Sequence, residues 1–158
     1  MRSVLPCVTL FLLSAFSDAA QPPAAAPSIT AAPSFDAELA SKVGADADGM
    51  RGFVFVLLKT GPKRVPDGPE RDAMFQGHFA NIDRLAAEGK LVLAGPFDGT
   101  AGWRGMFVLA TDDVDEAKQL VATDPVIQKG EMIAEYHKYF GSAALMLINE
   151  LHGRIDRP

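Results

Sequence analysis

The chain has 158 residues, 20 acidic against 15 basic side chains, a net charge of −5 and one cysteine. That length holds one domain of ordinary size, and an acidic balance without a basic stripe excludes nucleic acid and an anionic membrane face as partners. Cys7 lies in a segment read below as a removable leader, so a thiolate nucleophile, a disulfide framework and a cysteine metal site are excluded from the mature protein.

Met1-Arg2-Ser3, an apolar run from Val4 to Phe16 and the exit Ser17-Asp18-Ala19-Ala20 have the layout of a secretory signal peptide. The run is shorter than the roughly 20 apolar residues of a membrane span. Residues 1–20 are therefore expected to be cleaved, leaving a periplasmic or secreted protein with no stable membrane insertion. Residues 21–49 are read as a Pro/Ala-rich linker, with a short helix over Phe35–Val43 stopped by Gly44. Asp46-Ala47-Asp48-Gly49 resembles the start of a calcium loop but lacks the distal glutamate.

The domain is expected over residues 50–141. Phe53–Leu58 is apolar at both parities, as suits a strand covered on both faces. Glycines and prolines from Gly61 to Pro69 mark a loop, and a helix follows over Pro69–Glu88, ended by Gly89. Its apolar stripe is read as Phe75, Phe79, Ile82 and Ala86, with His78 and Leu85 on one edge. Leu91–Ala94 is a second strand closed by Gly95-Pro96, and Met106–Ala110 a third. Asp113 with Glu116 three residues on opens a helix that buries Val114, Ala117, Leu120 and Val121. Asp124-Pro125 breaks it, Met132–Tyr139 is a fourth strand, and residues 142–158 form a C-terminal helical tail. The order is the α+β, ferredoxin-like βαββαβ arrangement with a four-stranded antiparallel sheet. Both helices cover one sheet face, so the apolar other face calls for cover, and a second copy of the chain is the economical one.

His78 is the residue best suited to chemistry. An imidazole oriented by a carboxylate can move protons near neutral pH, and the layout brings Asp124 back toward it. Aspartate before proline is also a good helix cap, and one carboxylate can do both. His137 shares a strand face with Ile133 and Tyr139 and reads as a surface or interface residue; His152 sits in a polar tail. No close His/Asp/Glu spacing offers the three or four convergent ligands a metal needs, so no metal and no cofactor are expected. Gly99-x-x-Gly102-x-x-Gly105 joins two strands and opens no helix, unlike a phosphate-binding loop. Trp103 reads as a loop anchor or as an aromatic cover for a planar substrate.

With His78 in the first long helix, the strand end Leu93-Ala94-Gly95-Pro96, Gly105 before the third strand, and Asp124-Pro125 followed by Gly130, the chain resembles the YciI-like, or YCII-related, family of the dimeric α/β-barrel superfamily over Arg51–Phe140. The resemblance implies a homodimer and an active-site pair made of the helix histidine and the aspartate before proline, here His78 and Asp124. It does not fix the reaction. Two functions stay open. One is a cofactor-independent lyase or isomerase acting on a small organic molecule, with His78 as base and acid, Asp124 fixing its tautomer, and Gly95, Pro96 and Trp103 at the substrate. The other is a non-catalytic dimer that binds a small ligand or partner.

Overall fold

In a computed structural model, residues 34–157 are described, and four strands in the order β2-β3-β1-β4 make one antiparallel sheet. β1 (Met50–Thr60) is central, pairing with β3 (Trp103–Leu109) on one side and β4 (Met132–Ser142) on the other, while β2 (Leu91–Pro96) lies on the outer edge of β3. Alternation along β1 sends Val54, Val56 and Leu58 to one face and Phe53 and Phe55 to the other. This is the ferredoxin-like order expected from the chain.

α2 (Pro69–Ala87) and α3 (Val114–Val121) pack over the first face, joined by a one-turn helix α4 (Pro125–Gln128). Each start has a local cause. Pro69 occupies the first turn of α2, where its missing N–H costs nothing. Asp113 Oδ1 accepts from Asp115 N (2.8 Å) to cap α3, and Asp124 Oδ1 accepts from Val126 N (3.1 Å) to cap α4. Gly89, at φ 68°, ends α2 in the left-handed region that a side chain resists.

Three expectations are corrected. The buried line of α2 is Met74, His78, Asn81 and Leu85, one residue away from the expected stripe; Phe79 is 61% exposed. The helix carries apolar residues on two adjacent faces, and the packing sets the polar pair His78 and Asn81 inward because α4 and its preceding residues supply partners for them. Residues 35–49 are not spacer. α1 (Ala37–Val43) buries Val43, Arg51 Nη1 donates to Val43 O (2.8 Å), and the chain from Phe35 onward forms one compact unit. The terminal helix divides into a 3-10 turn over Ala143–Leu147 and α5 (Ile148–His152).

That C-terminal segment crosses the second sheet face. Leu145, Met146 and Ile148 pack against Phe53, Val92 and Val108, and Asn149 Nδ2 donates to Leu91 O at 2.7 Å. Part of the cover expected from a second copy is thus supplied by the chain itself. Leu151, farther along the same segment, is exposed. The expected leader over 1–20, and the spacer as far as residue 33, lie outside the described residues. Among the described residues no helix is long and apolar enough to cross a membrane.

Candidate active site

α2 and α4 approach closely where Gly77 meets the ring of Pro125, and the residues beside them are His78 and Asp124. His78 Nδ1 lies 2.7 Å from Asp124 Oδ2. Asp124 is completely buried and accepts twice: Oδ1 from the Val126 amide, Oδ2 from the imidazole. A carboxylate has no proton to offer, so the imidazole N–H must be on Nδ1. In the neutral imidazole that leaves the lone pair on Nε2, and His78 lines the cavity. Among the described residues Nε2 has no hydrogen-bond partner.

The preceding residue is held as well. Arg84 Nη2 donates to Asn81 Oδ1 (2.7 Å) and to Thr123 Oγ1 (3.0 Å), tying α2 to the segment that delivers Asp124. Asn81 Nδ2 is buried without a partner among the described residues. The His78 ring is also fixed by aromatic neighbours, with centroids 6.1 Å from Phe107, 5.4 Å from Phe79 and 6.2 Å from Phe75. An imidazole so confined has little further freedom to lose.

The cavity has a volume of about 460 Å³, within the usual range for small-molecule sites. Phe75, Phe79, Phe97 and Phe107 supply aromatic walls, Leu58, Ile82 and Met132 aliphatic ones. Gly95, Pro96 and Gly105 contribute backbone: a methyl on Gly105 would come within 2.8 Å of Gly95 O, so β2 and β3 meet there only because residue 105 lacks a side chain. Of the residues expected around a substrate, Gly95 and Pro96 line the cavity. Trp103 does not; its ring packs on Phe97, at 5.7 Å between centroids, and Phe97 takes the aromatic place. His137 is exposed on β4, with its ring 6.3 Å from Phe55, and His152 is exposed in the tail.

Arg104 also lines the cavity, and nothing in the sequence pattern announced it. Leu58 pairs with Gly105 and Lys59 with Trp103, so Arg104 is the extra residue of a bulge in β3. Strict alternation would group it with Met106 and Val108 on the face under the C-terminal segment; the bulge turns it toward the cavity instead. Beside it, Glu131 is 2% exposed. Its Oε1 accepts from Arg71 Nη1 (2.8 Å), its Oε2 from Val65 N (2.7 Å), and Arg104 Nη1 stands 3.7 Å away. Burial, the largest single influence, pushes this carboxyl up, yet the Val65 N–H, the Arg71 guanidinium and the charge of Arg104 together hold it below its ordinary value. Among the described residues no group of three or more His, Cys, Asp or Glu converges as a metal site.

Fold and site together define a ferredoxin-like domain with a histidine–aspartate pair set in the wall of an apolar cavity. The chain belongs to the YCII-related domain family, whose model matches residues 52–137. It is 37% identical over 54 residues to YjpA, an uncharacterized protein of Bacillus subtilis (strain 168), a match covering 34% of this chain and 61% of that protein. The chain thus spans about three-fifths of the length of this curated relative. Among solved structures it is similar to 5-chloro-2-hydroxyhydroquinone dehydrochlorinase (TftG) from Burkholderia phenoliruptrix AC1100 in complex with 2,5-dihydroxybenzoquinone. That similarity is 21% in identity, over 52% of this chain and 90% of that one, with a TM-score of 0.37.

Proposed function

We propose that this YCII-related domain is a cofactor-independent lyase or isomerase for a small organic molecule. The observation that carries this reading is the 2.7 Å contact between His78 Nδ1 and Asp124 Oδ2, with the same imidazole lining the cavity. Nε2 takes a proton from a carbon acid, such as a C–H next to a carbonyl. Asp124 steadies the imidazolium that forms. The proton then returns to a different atom of the same molecule in an isomerisation, or to a departing group in an elimination. Gly95 and Pro96 shape the wall against which the substrate rests.

The test is deuterium uptake. Small organic acids and phenols that raise the melting temperature are incubated with the protein in D2O and followed by proton NMR. Loss of a substrate C–H signal that persists with His78→Asn, or no uptake from any binder, would leave the non-catalytic ligand-binding reading in its place.

The protein acts as a homodimer after export. Support for the dimer is the outer face of β4, where Ile133 and Tyr139 stay exposed beside the segment that covers only part of the sheet. Light scattering at micromolar concentration should give twice the monomer mass. Support for export is the apolar run from Val4 to Phe16 behind Arg2; mass spectrometry of the native protein should find Met1 removed with the leader.

A further inference from the structure

We propose that the cavity selects a flat organic anion, its ring lying between the phenyl walls and its acid group paired with Arg104. This rests on the reading of the cavity as the place where His78 meets its substrate. The argument begins with charge. Around the β1–α2 loop, the ion pairs of Arg64, Arg71 and Arg104 among the described residues fall on two carboxylates, Asp67 and Glu131. Asp67 is taken up by Arg64 at 2.9 Å and lies 3.5 Å from Arg71 Nε. Glu131 has its close bonds from Arg71 and the Val65 amide, leaving Arg104 at 3.7 Å, beyond hydrogen-bond reach. Arg104 is therefore the guanidinium at the cavity wall that is within ion-pair distance of Glu131 but makes no side-chain hydrogen bond among the described residues.

The backbone has been altered to put it there. Only the bulge at residue 104 takes this side chain out of the outer-face series of β3, and bulges re-aim side chains in this way beside active sites. The bulge is held on its other edge by Phe97 N donating to Arg104 O at 3.0 Å. A planar guanidinium in a largely apolar cavity matches a carboxylate or a comparable flat oxyanion in two-point contact. The remaining walls, Phe75, Phe79, Phe97 and Phe107, suit a ring rather than a sugar or a peptide. An anion held this way would also present an acidified neighbouring C–H to Nε2, since the guanidinium would stabilise negative charge developing on the acid group.

The probes are 1-naphthoate and its neutral isostere 1-naphthamide, titrated into the protein by calorimetry at neutral pH, with the His78 imidazole resonances followed by NMR. We expect the acid to bind, to shift the His78 signals, and to exceed the amide by about tenfold or more, the worth of one desolvated charge-assisted contact. Arg104→Gln should erase the preference, while Arg104→Lys keeps part of it and guards against a folding defect in the first variant. Equal binding of acid and amide, no binding of the acid at millimolar concentration, or a preference that survives in folded Arg104→Gln would each overturn the proposal. Failure of the proton-transfer reading looks different: an Arg104-dependent preference without His78-dependent deuterium uptake sinks the chemistry and leaves the anion site standing.

Discussion

Gly77 on α2 faces Pro125 on α4 so closely that a methyl at residue 77 would lie 3.0 Å from Pro125 Cγ. This contact sets the distance between the two helices at the level of His78 and Asp124. An alanine could be absorbed if the proline ring gives by a few tenths of an ångström, offset by the helix propensity gained over glycine. A valine could not. Gly77→Val should destabilise the fold by about 1–3 kcal/mol, seen as a lower urea midpoint, and should separate the imidazole from its carboxylate. Retention of the Nδ1–H signal in this variant would show that the helices tolerate the spacing.

Asp124→Asn is expected to reverse the imidazole. The asparagine oxygen can still cap α4 through the Val126 amide, which leaves its NH2 facing His78 Nδ1. Nδ1 must then accept, and the proton moves to Nε2, removing its lone pair. Nitrogen-15 NMR of His78 reads the tautomer directly. If turnover is found, it should fall by about 10³–10⁴-fold in this variant, as for other pairs whose tautomer is inverted, with the melting temperature little changed. Asp124→Ala differs: it loses the cap as well, which costs about 1 kcal/mol by itself.

Glu131→Gln should lower stability at neutral pH by about 3 kcal/mol, the low end for a broken buried ion pair, because Arg71 and Arg104 keep some contact with water. The effect has a sign in pH. A carboxyl held below its ordinary value contributes fully above about 4.5 and loses that contribution as pH falls through its folded-state value. The gap between wild type and variant in urea unfolding should therefore hold from neutral pH down to about 4.5 and close on further acidification. A gap that widened would mean that Glu131 folds in its protonated form.

Removing residues 143–157 should uncover Phe53, Val92 and Val108 and leave the Leu91 carbonyl without Asn149. The truncated protein is expected to melt lower and to bind more of a hydrophobic dye. Unchanged dye binding and melting would show that the segment rests on the sheet without stabilising it.

Much of this architecture was legible from residues alone. The two-faced apolar run of β1, the aspartates before Val114 and Pro125, and the glycine after Glu88 each name a local structure, and the sheet order follows from them. The rest depended on tertiary choices. The inward face of α2 could not be read from periodicity, because Met74, Phe75, Phe79, Ile82 and Leu85 spread over two faces and the partners of His78 and Asn81 decide between them. Arg104 was hidden by a one-residue bulge that no alternation rule anticipates. Glu131 looked like any acid before a strand until Val65 and Arg71 closed on it.

Asp124 serves two masters with its two oxygens, one owed to the peptide chain and one to the imidazole. A descendant of this protein without the proposed reaction would still need an acceptor at the start of that short turn, and aspartate would survive there by architecture alone. His78 has no such second employment. On the proposed function, the histidine rather than its partner is the position whose loss would record the loss of chemistry.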